Sequence, residues 1–429
     1  MQLTGRPSIR NTLTAITAVL IGGSVAHAAD NTKLESSLLI YSETDRVKAA
    51  EGIVNLNRIF PDGHSLNGRF SFDALTGPSP NGALRSSSFQ TFTRPSGTGS
   101  YTVSPGEIPM DQTFKDTRIS FDGSYSKPLD RLTTVDAGGH LSIEHDYTSL
   151  GLNGGLSRDF NRKNTTLSVS SAISHDIVQP IGGAPVALSM MGAPSNGGGE
   201  DEFESEGSLG KGKNVLDAVL GLTQVLDRKT LLRFNYSYNY SSGYLNDPYK
   251  ILSLIQDNST PNPGEPSGYI YEARPGSRSK QAVFGEIRRY FWGQVIDLSY
   301  RYFWDSWGIK SKTVDLHYRI PLLKNHALQP HARWYSQSAA DFYHPYLISG
   351  NPLPTHASAD YRLAPFHALT LGLEYFMTVA PKTHFSISAE YYHQIGDISP
   401  PDAFGSLGQY DLFPEMKAIM VRTGLNYDF

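Results

Sequence analysis

The chain has 429 residues, a formal net charge of −4 at pH 7, no cysteine and an aromatic content of 11%. The lack of cysteine excludes structural disulfides, thiol catalysis and cysteine-held metal, and the slightly acidic balance argues against a general nucleic-acid binder, which carries a basic stripe. Mean hydropathy is −0.33, a value that suits a soluble protein and equally a membrane barrel, whose strands show only alternate residues to lipid.

Residues 1–28 read as an export signal. Arg6 and Arg10 give the positive start, 13–25 the apolar stretch, and Ala26-His27-Ala28 the small-residue cleavage pattern before Ala29. The apolar stretch falls short of the roughly 20 residues that a helical span needs. No later run is long enough either, so membrane residence would have to come from strands. The expectation is a cleaved signal followed by a single domain over 29–429.

From there, segments of alternating oily and polar residues recur to the end. Residues 33–43 form a weak first strand, 44–51 a charged outer segment, and 52–60 the return to a turn at Pro61-Asp62-Gly63. In 65–75, Leu66, Phe70, Phe72 and Ala74 oppose Asn67, Arg69, Ser71 and Asp73. After a long Gly/Pro/Ser stretch over 76–114, Thr117, Ile119, Phe121 and Tyr125 make the next oily row, with Arg118 and Asp122 on the reverse. Val135, Ala137, Leu141 and Ile143 continue the series, 150–160 returns to a turn at 161–164, and 165–175 precedes a second long polar stretch over 176–213, which holds the acidic run Glu200 to Glu206. Segments 214–226 and 230–240 form a hairpin, and 241–279 is again rich in Pro, Asn and Gly.

The last third is the clearest. Ile296, Leu298, Tyr300, Tyr302 and Trp304 oppose Asp297, Ser299 and Arg301, while Val314, Leu316, Tyr318 and Ile320 oppose Asp315, His317 and Arg319. Gln329, His331, Arg333 and Tyr335 share a wet side, and after a loop at 337–362 the row Leu369, Leu371, Leu373 and Tyr375 turns at Pro381-Lys382 into Phe385, Ile387, Ala389 and Tyr391. A loop at 394–415 leads to the closing strand, 417–429, which ends on Phe429. Bacterial outer-membrane barrels commonly end on such an aromatic, which the barrel assembly machinery reads.

The count is about 16 strands, with short turns at one rim and long connections at the other. The expected fold is all-β, a transmembrane antiparallel up-and-down barrel with long extracellular loops, in a Gram-negative outer membrane and in contact with its lipid and lipopolysaccharide. A propeller is disfavoured because no fixed repeat is present. A sandwich is disfavoured because aromatics gather near strand ends, among them Tyr290, Trp292, Phe303, Trp307, Trp334, Tyr391, Tyr392 and Phe429, as in interfacial girdles.

Several stretches resemble a family of uncharacterised exported bacterial proteins regarded as outer-membrane barrels. They are Val54-Asn55-Leu56-Asn57-Arg58 with Phe60-Pro61-Asp62-Gly63; Phe72 to Gly77 through Asn81-Gly82; Tyr300 to Ile309; and Gln337 to Tyr343. The resemblance supplies no reaction. It implies a barrel encoded near thioredoxin-like and flavin-transfer proteins, hence a periplasmic redox partner, and it assigns no catalytic residue.

The alternation places Glu286, Arg288, Asp297, Arg301, Asp315, His317, Arg319, His331, Arg333, Glu374, Glu390 and Arg422 on the lumen. One reading is a polar pore whose opposed charges orient small hydrophilic solutes; the other is pairing between neighbouring strands that holds the wall together. Arg301, Asp315, His317, Arg319, His331 and Arg333 fall on three consecutive strands and could form a local basic ladder. His317 and His331 are neighbours with no third ligand placed by the sequence, so no metal and no cofactor is assigned. Asp136, His140, Glu144 and Asp146 share one face, but residues four apart on a strand are about 13 Å apart, so acid–base work would need partners from adjacent strands. The expectation is a porin-like channel and no enzyme. The alternatives are a non-conducting scaffold for a periplasmic redox system and a barrel hydrolase.

Overall fold

A computed structural model of the chain describes residues 32–93, 99–112, 114–180, 182–191, 210–396 and 403–429. The export segment and the acidic run at 200–206 lie outside the described residues.

Strands β1 (Thr32–Glu43), β2 (Lys48–Ile59) and β3 (Ser65–Thr76) open the wall, and the connection after β3 carries a hairpin of β4 (Gln90–Thr93) and β5 (Ser100–Val103). The wall continues with β6 (Lys115–Pro128), β7 (Thr133–Ile143), β8 (Tyr147–Phe160), β9 (Thr165–Val178), β10 (Lys211–Asp227) and β11 (Thr230–Gly243). Next come β12 (Ile251–Ile255) and β13 (Pro266–Tyr271) in a loop, then β14 (Ser277–Phe291), β15 (Gln294–Asp305), β16 (Lys310–Leu323) and β17 (His326–Gln337). A two-residue β18 (Leu347–Ile348) precedes β19 (Phe366–Ala380), β20 (Thr383–Ile395) and β21 (Met416–Asp428).

Sixteen of these strands form a closed antiparallel barrel, which β21 seals by pairing with β1. Closure satisfies every strand edge, the condition a sheet must meet in hydrocarbon. The alternation determines which side meets lipid. Leu369, Leu371 and Leu373 are 43%, 50% and 47% exposed, whereas the intervening Thr370 is 5% exposed and faces inward. The same outward exposure holds for Leu66, Phe70, Ile119, Phe121, Leu150, Leu152, Leu220, Phe234 and Leu298. A sandwich would have packed this row against a second sheet.

Seven turns of two to five residues lie at the rim that also holds both ends of the described wall. At the β14–β15 turn, Trp292 and Gly293 both have positive φ (47° and 85°), as the tightest hairpin turns require, and the Trp292 ring projects almost fully exposed. Three outer connections are short: 44–47, 144–146 and 306–309. Glu144 and Asp146 therefore sit in a tight turn, where the alternation had suggested a strand face shared with Asp136 and His140. The aromatic girdle is also narrower than expected. Trp334 and Tyr391 are exposed on the lipid side and Trp292 at its turn, but Tyr290 shares the lumen face of Arg288, Tyr392 lines the lumen and Trp307 is buried, with Phe303 packed against its cluster.

The described parts of the five long connections, 77–114, 179–210, 244–276, 338–365 and 396–415, gather into one cap. Strands β12, β13 and β18 form a three-stranded sheet at its centre. Ala83, Phe92, Val103, Ile251 and Tyr271 pack together, as do Leu84, Ile255 and Leu407. These residues belong to loops rooted on widely separated parts of the rim. Sixteen strands about 4.8 Å apart and tilted by about 40° enclose a mouth on the order of 30 Å across, so loops with such roots can share a core only by crossing that mouth. Trp307 and Ile309, at the β15–β16 turn, anchor the cap through Ala340, Phe342 and Leu363. Trp307 meets Phe342 edge-on, with ring centroids 5.1 Å apart.

Leu371→Lys, which places a charge in the middle of the lipid-facing belt, should cost about 2–4 kcal/mol of barrel stability, while Ser299→Lys on the lumen side stays within about 1 kcal/mol. Urea titration of the barrel folded in vesicles, read by heat-modifiable gel mobility, checks the contrast.

Candidate functional site

Glu286, Arg288, Asp297, Arg301, Asp315, His317, Arg319, Arg333 and Glu390 line a lumen cavity of about 1270 Å³. Its wall is an arc of eight adjacent strands, β14 to β17, β19 to β21 and β1. It extends from Val295 and Arg319 near the turn rim to Tyr41, Phe366 and Met416 under the cap. His331 stands in the same wall with only 7% of its side chain exposed, and Glu374 pairs with Arg422 at 3.5 Å.

Register explains which groups meet. Asp315 lies opposite Arg333, and His317 opposite His331; Arg288 lies opposite Asp297. Directly opposed residues on one face of a sheet are close enough to pair. The Arg333 Nε donates to Asp315, the Arg288 Nε donates to Asp297 at 2.8 Å, and Arg233 reaches Glu286 at 3.1 Å. His317 Nε2 is 2.9 Å from Asp315 Oδ1. The expected basic ladder is thus interrupted at its centre by Asp315. Arg301 and Arg319 lie over the rings of Phe303 and Phe376, at 5.6 and 4.1 Å. Across the barrel, Arg118 pairs with Asp73, and His140 Nδ1 is 2.6 Å from Asp122 Oδ1. The His140–Asp122 pair is halfway along its strands, away from the outer rim where a barrel hydrolase would be expected to work.

Half-exposed pairs of this kind contribute only about 0.2–1 kcal/mol each. Their larger effect is on the field inside the lumen, where acidic and basic groups alternate over short distances.

A second charged cluster lies inside the cap, where alternation carries no signal. Asp247, Lys250, Glu272, Arg274, Asp360 and Arg362 come from two loops, and Lys250, Glu272 and Asp360 are almost fully buried. Arg274 lies 2.6 Å from Glu272 Oε1 and 2.8 Å from Asp360 Oδ2. Arg362 holds both Asp360 oxygens, at 2.9 and 2.8 Å, and reaches Asp247. The Lys250 ammonium donates to the Pro80 carbonyl, which ties in a third loop. The only sequence signal was the density of charge in segments otherwise read as loops.

Burial pushes the Glu272 carboxyl up to about 7, against the opposing charge of Arg274. Burial works the same way on Asp360, but Arg362, Lys250 and Arg274 outweigh it and hold that carboxyl below the usual range.

A closed sheet that turns its leucines to lipid and its charges to an inner cavity is a membrane β-barrel of the outer-membrane type. The chain belongs to the family described as protein of unknown function DUF3570, whose model matches residues 11–429. No curated protein matches the sequence. Among solved structures, it is similar to a bacterial polysaccharide outer membrane secretin, with 8% identity, a TM-score of 0.44, and coverage of 94% of this chain and 99% of the other. It is also similar to the CymD monoaromatic hydrocarbon channel, with 9% identity, a TM-score of 0.40, and coverage of 94% and 89%. A mutant ferric enterobactin receptor from Pseudomonas aeruginosa is 11% identical with a TM-score of 0.44, covering 93% of this chain and 60% of the receptor.

The cap network predicts a pH dependence. Between about pH 4.5 and 7 the folded cap holds a proton on Glu272 that the unfolded loop has released, so cap stability falls as pH rises through that window. Asp360 has the opposite sign, and its contribution is lost only as pH drops below the usual carboxylate range. Limited proteolysis of 338–365 should therefore accelerate several-fold from pH 5 to pH 7.5, and Glu272→Gln should flatten that rise.

Proposed function

We propose that this protein is an outer-membrane channel for small hydrophilic solutes, exported by its N-terminal signal and assembled through its C-terminal strand. The observation that carries this reading is the large lumen cavity, walled by paired charges and extending from near the turn rim to the underside of the cap. A solute in that space exchanges part of its hydration for fixed charges of both signs, which favours polar over apolar cargo. Tyr41, Phe366 and Met416 narrow the space below the cap, and Phe366 continues into the cap through Phe413. In this mechanism passage is set by how far the cap yields, and the charged wall sets preference among the solutes that pass. No step requires a covalent intermediate, so the reading is not enzymatic.

A second reading has its own observation. The shared apolar core of the five loops crosses the mouth and would suit a non-conducting scaffold that seats a periplasmic redox partner at the turn rim.

Planar-bilayer recording of the full-length protein separates the two. The channel reading expects small unitary steps that grow at least about twofold in Asp360→Ala, where Arg274 and Arg362 lose their shared acceptor and the cap loosens. It also expects Asp315→Asn to shift the reversal potential toward anions, because Arg333 is then uncompensated in the lumen. Silence in both the native protein and Asp360→Ala, with barrels shown folded by gel mobility, would sink the channel reading in favour of the scaffold.

A further inference from the structure

We propose that Asp315, His317 and His331 form a binding site for one divalent transition-metal ion in the barrel wall. One donor atom from each of the three lies within 4.8 Å of the others. Two imidazoles and a carboxylate suit ions of intermediate softness, such as zinc, cobalt or nickel, better than calcium or magnesium.

The placement of the carboxylates around His331 suits an ion. Glu390 Oε1 is 3.0 Å from His331 Nδ1, so a proton on Nδ1 is held by the carboxylate and the lone pair is left on Nε2. That Nε2 is buried and has no hydrogen-bond partner, and it faces Asp315 Oδ2 at 3.5 Å. With that tautomer a lone pair and a carboxylate oxygen face each other, a gap that a cation fills, either a proton on Nε2 or a metal ion that displaces it. Glu390 then plays the outer-shell part that carboxylates commonly play behind metal-binding imidazoles, fixing tautomer and ring orientation.

Gly372 makes this arrangement possible. It sits between His331 and Glu390 in the ladder, opposite both. A Cβ at that position would come within 2.7 Å of Glu390 Cγ, so only glycine lets the carboxylate cross a whole strand to reach the imidazole. His317 stacks on His331, with centroids 4.1 Å apart and planes 5° apart. To share one ion the two rings must splay, and His317, whose Nε2–H now donates to Asp315 while its Nδ1 accepts from Gln329, must lose that proton and turn Nε2 toward the ion. Arg333, now on Asp315, has a half-exposed side chain and has the lumen to swing into. Asp315 and His317 line the cavity, so the remaining coordination positions face water. The site depends on the folded wall alone and stands whether or not the barrel conducts.

The test is titration of cobalt(II), then zinc(II), into untagged full-length protein folded in detergent, read by visible absorption and equilibrium dialysis. About one cobalt per barrel should bind with a dissociation constant in the micromolar range or tighter, give ligand-field bands and be displaced by zinc. His331→Ala should abolish those bands. Glu390→Gln and Gly372→Ala, which keep all three ligands, should weaken binding by about 10- to 100-fold. Glu144→Gln, in the acidic turn at the rim, should bind as the native protein does. Gel mobility confirms that each variant is folded. Less than one equivalent bound by the native protein at about 100 µM metal, or native-like binding by folded His331→Ala, overturns the proposal.

Discussion

Hydrocarbon offers no hydrogen bonds, and the rest of the structure follows from that constraint. Each backbone N–H and C=O of a spanning strand must find a partner within the sheet, which leaves no free edge and so demands a ring. Once the ring closes, the two faces of every strand acquire opposite solvents. Leucine at 369, 371 and 373 then becomes stabilising outside, while Thr370, Gly372 and Glu374 become the only kind of residue that suits the inside. The same alternation sets the register of the charges, because a slip of one residue would send Asp315 and His317 into lipid.

That coupling is why the wall was legible in the sequence. A period of two needs no tertiary information, so the sixteen strands, the tight turns and the inward direction of the charged residues could all be read from residue order. The cap could not. Its contacts join residues far apart in the chain, such as Ser86 with Glu265 and Glu272 with Ser358, and its short strands are held by neighbours from other loops rather than by their own pattern. His331 with Glu390 was equally hidden. Their meeting depends on a glycine in the intervening strand, and a glycine in a strand does not announce what crosses it.

The stretches that resemble the family are informative in retrospect. Two of them dock on each other, since Asp341 N–H donates to the Trp307 carbonyl at 2.8 Å and a Cβ at Gly308 would collide with Asp341. A third, Asn81-Gly82, makes the joint between two loops. Ile251 N–H donates to the Asn81 carbonyl at 2.9 Å, and a Cβ at Gly82, with φ of +100°, would lie 2.4 Å from the Ile251 carbonyl oxygen. These motifs carry the architecture of the cap and its anchor. Of the charged lumen residues they supply few, Asp73 and Arg301 among them, which explains why they pointed to a fold and gave no chemistry.

The two rims therefore differ in kind. At the turn rim the described connections are two to five residues long, and a chain of five residues spans at most about 17 Å before it must also return to the neighbouring strand, too little to cover a mouth on the order of 30 Å. At the loop rim, segments rooted around the whole ring share apolar clusters and a buried charge network, so no single loop can leave without breaking contacts made by the others. Burial reinforces this: Asp360 and Arg274 are almost shut off from water while Arg362 is half-exposed, so removing either of the first two strands the other's charge, a cost of several kcal/mol by general experience with buried pairs. Loosening the cap is thus a cooperative event for it as a unit, whereas the His317 and Asp315 wall lies in the cavity below it, toward a rim whose described turns are too short to cross the mouth.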